Sequence, residues 1–284
     1  MKLPSKSRKQ RVRFSVLAAI AVSLLILVSC AIYNLQYRLL YYPSPFKPTE
    51  ESLLASSTKL WQSSGDDYRG LTATNEPRPC KGTVIVFHGN GGTAADRKFY
   101  PDALGVRGYR VILAEYPMYG GRKGKLGERA FVADGIETVH LAFEEYGGPL
   151  YILGESLGSG VAAAVAGHAS VKIDGIVLIT PWDTLESVAK EKFPLLPVRL
   201  LLSDKYDSIK NLISFKGKIA VVAAGRDEII PIKHAGNLYN SLPANAKRMW
   251  TIEGAGHNDW YVYANSSWWD ELIGFVSGNV KDEQ

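Results

Sequence analysis

Short unbroken apolar runs alternate along this chain with stretches in which apolar residues return every three or four positions. The first kind predicts strands buried on both faces: 83–87 (Thr-Val-Ile-Val-Phe), 110–114, 150–153, 175–179, 218–224 and 248–252. The second kind predicts helices. These cover about 94–107, then 128–146 with Phe131, Ile136, Val139 and Phe143 along one side, then 161–168, 232–241 and 267–277. Segments 51–62 and 68–73 read as edge strands. Residues 115–125 form a glycine-rich loop. Residues 180–214 form a longer one, which Pro181, Pro194 and Pro197 divide into pieces long enough for one or two brief helices. Alternation of this kind predicts an α/β fold with a mostly parallel, doubly wound sheet flanked by helices.

The N-terminal end breaks the alternation. Residues 14–37 carry no charge, and 14–33 are almost wholly apolar. Twenty helical residues span about 30 Å, the thickness of a bilayer core. The pattern divides the chain into a basic cytoplasmic leader (1–13), a membrane-spanning segment (14–33), a juxtamembrane linker (34–50) rich in Tyr and Pro that docks on the domain, and a domain over 51–284. Leu27-Val28-Ser29-Cys30 has the form of a lipoprotein cleavage site, in which Cys30 becomes lipidated. An uncleaved signal-anchor suits the same residues, and the length of the apolar run favours it slightly. With the basic flank kept in the cytoplasm, either form places the domain on the extracytoplasmic side.

Charge and cysteine content narrow the picture further. The formal net charge is +5 over 284 residues. Lys2, Lys6, Arg8, Lys9, Arg11 and Arg13 carry all of that excess, so the domain itself is close to neutral and a nucleic-acid partner is not expected. Cys80 is the one cysteine outside the leader and the apolar segment that follows it, so no disulfide framework supports the domain. No Cys/His cluster has metal-ligand spacing and no glycine loop is followed by Lys-Ser/Thr, so neither a metal nor another cofactor is expected. The expected partners are a small-molecule or acylated substrate and the membrane. The oligomeric state is left open.

The chemistry gathers at the predicted strand ends. Strand 150–153 runs into Gly154-Glu155-Ser156-Leu157-Gly158 and then a helix, the strand–turn–helix setting in which a serine stands at the apex of a sharp turn. A serine hydroxyl needs a base, and the base an orienting acid. Asp227 follows strand 218–224 and His257 follows strand 248–252, which makes a candidate Ser156–Asp227–His257 triad; Glu228 is the competing acid. His140, His168 and His234 fall in or at the head of helices, where surface or packing roles suffice. The loop His88-Gly89-Asn90-Gly91-Gly92 follows strand 83–87. It and the start of the helix after Ser156 are the places for two oxyanion donors, the N–H groups of Asn90 and Leu157. His88, Gly89, Gly91, Gly154 and Gly158 are read as shaping the two loops.

Four motifs, 88–92, 154–158, 225–227 and 256–259 (Gly-His-Asn-Asp), together resemble the α/β-hydrolase superfamily. The N-terminal apolar segment, Leu39-Leu40-Tyr41-Tyr42-Pro43 and the short 180–214 insert are similar to its small membrane-anchored branch of bacterial serine hydrolases and eukaryotic protein depalmitoylases. The likeness covers about residues 38–277. Two departures, Gly91 and Thr93 in the glycine loop and Glu115-Tyr116-Pro117-Met118-Tyr119-Gly120 after the next strand, are expected to line the mouth of the site. The resemblance implies a serine hydrolase acting on esters or thioesters through an acyl-enzyme. A peptidase or amidase on the same triad and a non-catalytic anchored binding module are the alternatives. Trp182, Phe193, Leu195, Leu196, Leu200 and Leu201 of the insert are either core or the wall of an apolar mouth for an acyl chain.

Overall fold

The computed structural model describes residues 8–65, 67–243 and 247–278. The first seven residues of the basic leader, with Lys2 and Lys6, and the last six of the chain lie outside them. In chain order the elements are α1 (Arg8–Leu40), β1 (Tyr42–Pro43), α2 (Glu50–Ser56), β2 (Thr58–Trp61), β3 (Gly70–Ala73), β4 (Gly82–Phe87) and β5 (Gly91–Gly92). A 3-10 turn (Ala94–Arg97), α3 (Phe99–Gly105), β6 (Tyr109–Ala114), α4 (Glu128–Tyr146), β7 (Leu150–Glu155), α5 (Leu157–His168) and β8 (Gly175–Ile179) follow. The chain continues through α6 (Leu185–Lys192), α7 (Val198–Leu201), α8 (Ser208–Leu212), β9 (Lys218–Ala224), α9 (Ile232–Ser241), β10 (Lys247–Ile252), α10 (Trp260–Tyr263) and α11 (Ser266–Ser277).

Eight strands form the main sheet in the order β10-β9-β8-β7-β4-β6-β3-β2. Every pairing is parallel except those made by β3. β4, β7, β8 and β9 are apolar on both faces because helices cover both. Phe131 and Val139 of α4, Val161 of α5 and Leu238 of α9 pack on one face, with Ile85, Ile152 and Val221. Tyr100 and Leu104 of α3 and Trp269, Leu272 and Phe275 of α11 pack on the other. All the parallel strands deliver their C-terminal ends to one edge, and the loops there hold every candidate residue.

The structure corrects three expectations of local detail. The first half of 51–62 is helical: Thr49 caps α2 by accepting from the Ser52 N–H at 3.2 Å, and Glu50 and Glu51 sit in its first turn, so only Thr58–Trp61 is extended. The helix expected over 94–107 splits into a 3-10 turn and α3, because Asp96 reaches back to the Thr93 N–H at 2.7 Å and tightens the turn. The 180–214 insert forms three short helices. Pro194 stands just beyond the end of α6, and Pro197 precedes α7. Residues 34–50 lie against the domain. α1 runs on to Leu40, Tyr41 is buried, and β1 pairs in parallel with β5 in the glycine loop.

The sharpest constraint in the fold is where α5 crosses the ends of β4 and β7. A methyl group at Gly158 would lie 2.0 Å from the Phe87 carbonyl oxygen, and one at Gly154 2.3 Å from the Gly158 carbonyl oxygen. Both clashes are with backbone, so neither is relieved by a rotamer change. Gly158→Ala is therefore expected to destabilise the protein by about 3 kcal/mol or more, read from the urea midpoint. Gly236→Ala, in α9 with open space around it, should be neutral or stabilising by up to about 1 kcal/mol. Equal midpoints for the two variants would show that the α5 crossing is loose.

Candidate active site

Close packing at the two glycines leaves the chain no gentle route from β7 to α5, and Ser156 takes up the turn. Its backbone sits at φ 52, ψ −116, a region that side chains other than hydrogen rarely occupy. Its N–H donates to the Ile179 carbonyl at 2.9 Å, and its carbonyl accepts the Ser159 hydroxyl at 2.6 Å. The side chain is thereby held above the sheet edge. Leu157 opens α5, where the first N–H groups have no partner within the helix and the helix dipole is positive.

The loops after β9 and β10 bring the two other predicted residues to it. His257 Nε2 lies 2.8 Å from Ser156 Oγ, and Nδ1 lies 2.7 Å from Asp227 Oδ2. The other carboxylate oxygen of Asp227 accepts the N–H groups of Ile229 and Ile230 at 2.9 and 2.7 Å, which fixes its plane. The side chains of Asp227 and His257 are 2% and 7% exposed, so little water competes for their contact. Glu228 is exposed and contributes only its carbonyl, to Lys192. Of the two neighbouring acids, Asp227 is the one in contact with His257.

The glycine loop is fixed from beneath. His88 is buried; Nδ1 faces the Gly89 carbonyl at 2.8 Å and Nε2 faces Glu115 at 2.9 Å. Glu115 also accepts the N–H groups of Ala94 and Tyr116 and the hydroxyl of Tyr68. The departure at Glu115 therefore does not line the mouth: the carboxylate is buried under the loop and ties it to β6. Above it the Tyr116 hydroxyl donates to the His88 carbonyl and the Tyr119 hydroxyl to the Asn90 carbonyl, each at 2.8 Å. The same Asn90 carbonyl accepts the Tyr42 N–H at 3.1 Å. Burial pushes the Tyr116 phenol far above its ordinary pKa, so it stays a donor.

Ser156, Leu157 and Asn90 line one cavity of about 340 Å³, otherwise almost entirely apolar. Trp182, Phe193, Leu196 and Leu201 of the insert are on its wall, so these four are not only core. Leu195 and Leu200, by contrast, are 96% and 84% exposed. Across from the insert, Ile32, Leu35 and Leu39 of α1 complete the wall. That contribution was missed, although the 32-35-36-39-40 spacing of one helical face was there to be read. A wider depression near Lys172, Asp174 and Lys216 lies at the opposite edge of the sheet, away from Ser156.

The remaining histidines serve elsewhere. His140 meets Ser170 on the surface. His234 is buried with Asp183 and Ser187, a second Ser/His/Asp cluster, but Ser187 donates to Asp183 itself and neither lines the cavity. Burial alone would raise the Asp183 pKa, yet hydrogen bonds from Ser187, the Thr184 N–H, His234 and Asn237 hold it below the ordinary carboxylate value. The cluster joins the insert to α9.

A family model described as the alpha/beta hydrolase fold matches residues 82–205. An uncharacterized protein of Mycobacterium tuberculosis is 32% identical over 235 residues, covering 80% of this chain and 82% of that protein. Among solved structures, a Pyrococcus furiosus esterase aligns with TM-score 0.63 at 17% identity, covering 84% of this chain and 97% of the esterase. A Paleococcus ferrophilus monoacylglycerol lipase aligns with TM-score 0.55 at 20% identity, covering 71% of this chain and 96% of the lipase. The chain belongs to the α/β-hydrolase superfamily. It is a hydrolase.

The buried carboxylate under the glycine loop generates a test. Glu115→Ala leaves the Ala94 N–H and His88 Nε2 without their partner, and each unpaired buried group costs about 1–3 kcal/mol. A loss of roughly 3 kcal/mol is expected in urea unfolding, with Glu115→Gln recovering part of it. A loss under about 1 kcal/mol would mean that water replaces the carboxylate and that the loop does not depend on it.

Proposed function

We propose that this protein is a membrane-tethered serine hydrolase that cleaves carboxylic esters or thioesters. The observation that carries this reading is the unbroken chain from Ser156 Oγ to His257 to Asp227, at 2.8 and 2.7 Å, opening on an apolar cavity. With a proton on Nδ1 held by Asp227, His257 Nε2 accepts the serine proton as Oγ attacks the acyl carbon. The N–H groups of Leu157 and Asn90 stabilise the oxyanion of the tetrahedral intermediate. As it collapses, the imidazolium gives its proton to the leaving oxygen or sulfur, and Ser156 carries the acyl group. Water, deprotonated by the same histidine, then attacks the acyl carbon. A second tetrahedral intermediate releases the acid and restores the serine. An acyl chain suits the almost wholly apolar cavity wall better than a peptide, which needs polar partners for its backbone.

Tethering rests on α1. Arg13–Leu40 has a mean hydropathy of 2.7 over its most apolar window and is long enough to cross a bilayer. Its basic N-terminal flank favours a cytoplasmic start and an extracytoplasmic domain. The helix runs without a break through Cys30. The length of the apolar run favours the uncleaved anchor over the lipidated form.

Ser156→Ala and His257→Ala are each expected to lower kcat for p-nitrophenyl acetate at least about a thousandfold, and the double variant scarcely further, because the residues act as one unit. Asp227→Asn should be severe and Glu228→Gln within about twofold. A small fluorophosphonate should label wild-type protein at Ser156. Near-normal turnover by Ser156→Ala sinks the mechanism, and the reverse ranking of the acid variants reassigns the acid. For the tether, Cys30→Ser should leave the mass and the membrane fractionation unchanged; loss of attached lipid or of processing in that variant would establish the lipoprotein form instead.

A further inference from the structure

The last turns of α1 do something an anchor does not require. Ile32, Leu35 and Leu39 face the cavity that ends at Ser156, opposite Phe193, Leu196 and Leu201 of the insert. Two polar attachments hold this part of the helix in place. Gln36 accepts the Ser203 N–H at 2.8 Å and donates to the Leu201 carbonyl at 3.3 Å. One turn on, the Tyr41 hydroxyl donates to Asp204 at 2.5 Å and meets the Tyr206 hydroxyl at 3.0 Å, in a buried cluster.

Depth follows from the helical rise. If the bilayer core ends near Tyr33, Leu35 lies about 3 Å beyond it, within the headgroup layer, and Leu39 about 9 Å beyond it, at the outer margin of that layer. Tyr33 and Tyr37 fall in that layer, where tyrosine is favoured. α7 packs against α1 there and carries Leu200, 84% exposed, while Leu195 just before it is 96% exposed. Such leucines beside a spanning helix have the bilayer as their natural cover.

We propose that the α1 segment from Ile32 to Leu40 is one wall of the acyl-binding pocket, and that the substrate is a long-chain acyl ester resident in the bilayer. Its chain passes from the leaflet along α1 into the cavity, and its carbonyl arrives at Ser156 without crossing water. The proposal rests on the reading of Ser156 as the nucleophile. It adds that the membrane segment selects the acyl chain.

The test uses full-length protein in phosphatidylcholine vesicles. Leu39→Trp and Leu35→Trp fill the cavity from the α1 side, and the ratio of kcat/KM for p-nitrophenyl decanoate to that for acetate should fall at least tenfold. Leu39→Ala enlarges the cavity and should move the preferred chain length upward. Leu17→Trp, on the same helix but far from the cavity, should leave the ratio as in wild type. Labelling of each variant by diisopropyl fluorophosphate reports folding. In a second arm, a non-exchanging octadecanoyl ester should be turned over at least tenfold faster in the protein's own vesicles than in separate vesicles mixed with them. If wild type hydrolyses acetate but the ratio is unchanged in all three cavity variants, α1 is not a pocket wall. Equal turnover in the two vesicle arrangements overturns delivery from the bilayer. Absence of both labelling and hydrolysis in wild type overturns instead the nucleophile assignment on which the proposal stands.

Discussion

The backbone contact between α5 and the end of β4 is the constraint on which the site depends. With only a hydrogen at Gly158, the helix lies directly against the Phe87 carbonyl. That proximity forces the turn at Ser156 into a strained conformation and sets the serine and the glycine loop side by side. A wider crossing would relax the turn and separate the Ser156 hydroxyl from the glycine loop. The strain is local, and the fully buried strands β4, β7 and β8 hold it in place.

A second layer fixes the glycine loop. Glu115, His88, Tyr116 and Tyr119 bind its backbone from the sheet side, and Tyr42 binds it from the N-terminal side through the β1–β5 pair. The loop is therefore gripped by the core and by the segment that follows α1. The cavity in front of Ser156 therefore has a firmly held floor, with the apolar insert and α1 arranged around it.

Much of this was legible in the chain because the signals are local. The runs of β formers at 83–87, 175–179 and 218–224 fall within a residue of the observed strands, since nothing but a doubly covered sheet buries them. Ser156, Asp227 and His257 follow strands, and parallel strands end together, so their meeting could be deduced from order alone. The non-local features were not legible. Glu115 looked like a loop residue because its partners, His88 and Ala94, are 20 or more positions away in sequence. The helix of α2 was missed because Leu53 and Leu54 suit either period, and a cap at Thr49 decided it. The role of Leu35 and Leu39 was hidden by the stronger membrane signal of the residues before them.

The absence of slack between α1 and β1 has a consequence of its own. A domain on a flexible tether tumbles and presents every side in turn, and most encounters find the wrong one. Here only Tyr41 separates a continuous helix from a strand paired to the glycine loop, so the tilt of the helix axis sets the attitude of the whole sheet. Orientational entropy is surrendered when the chain folds and is not lost again at each encounter. With α1 as the proposed anchor, a search through volume would become a search over a surface, conducted with the strand ends always facing the same way.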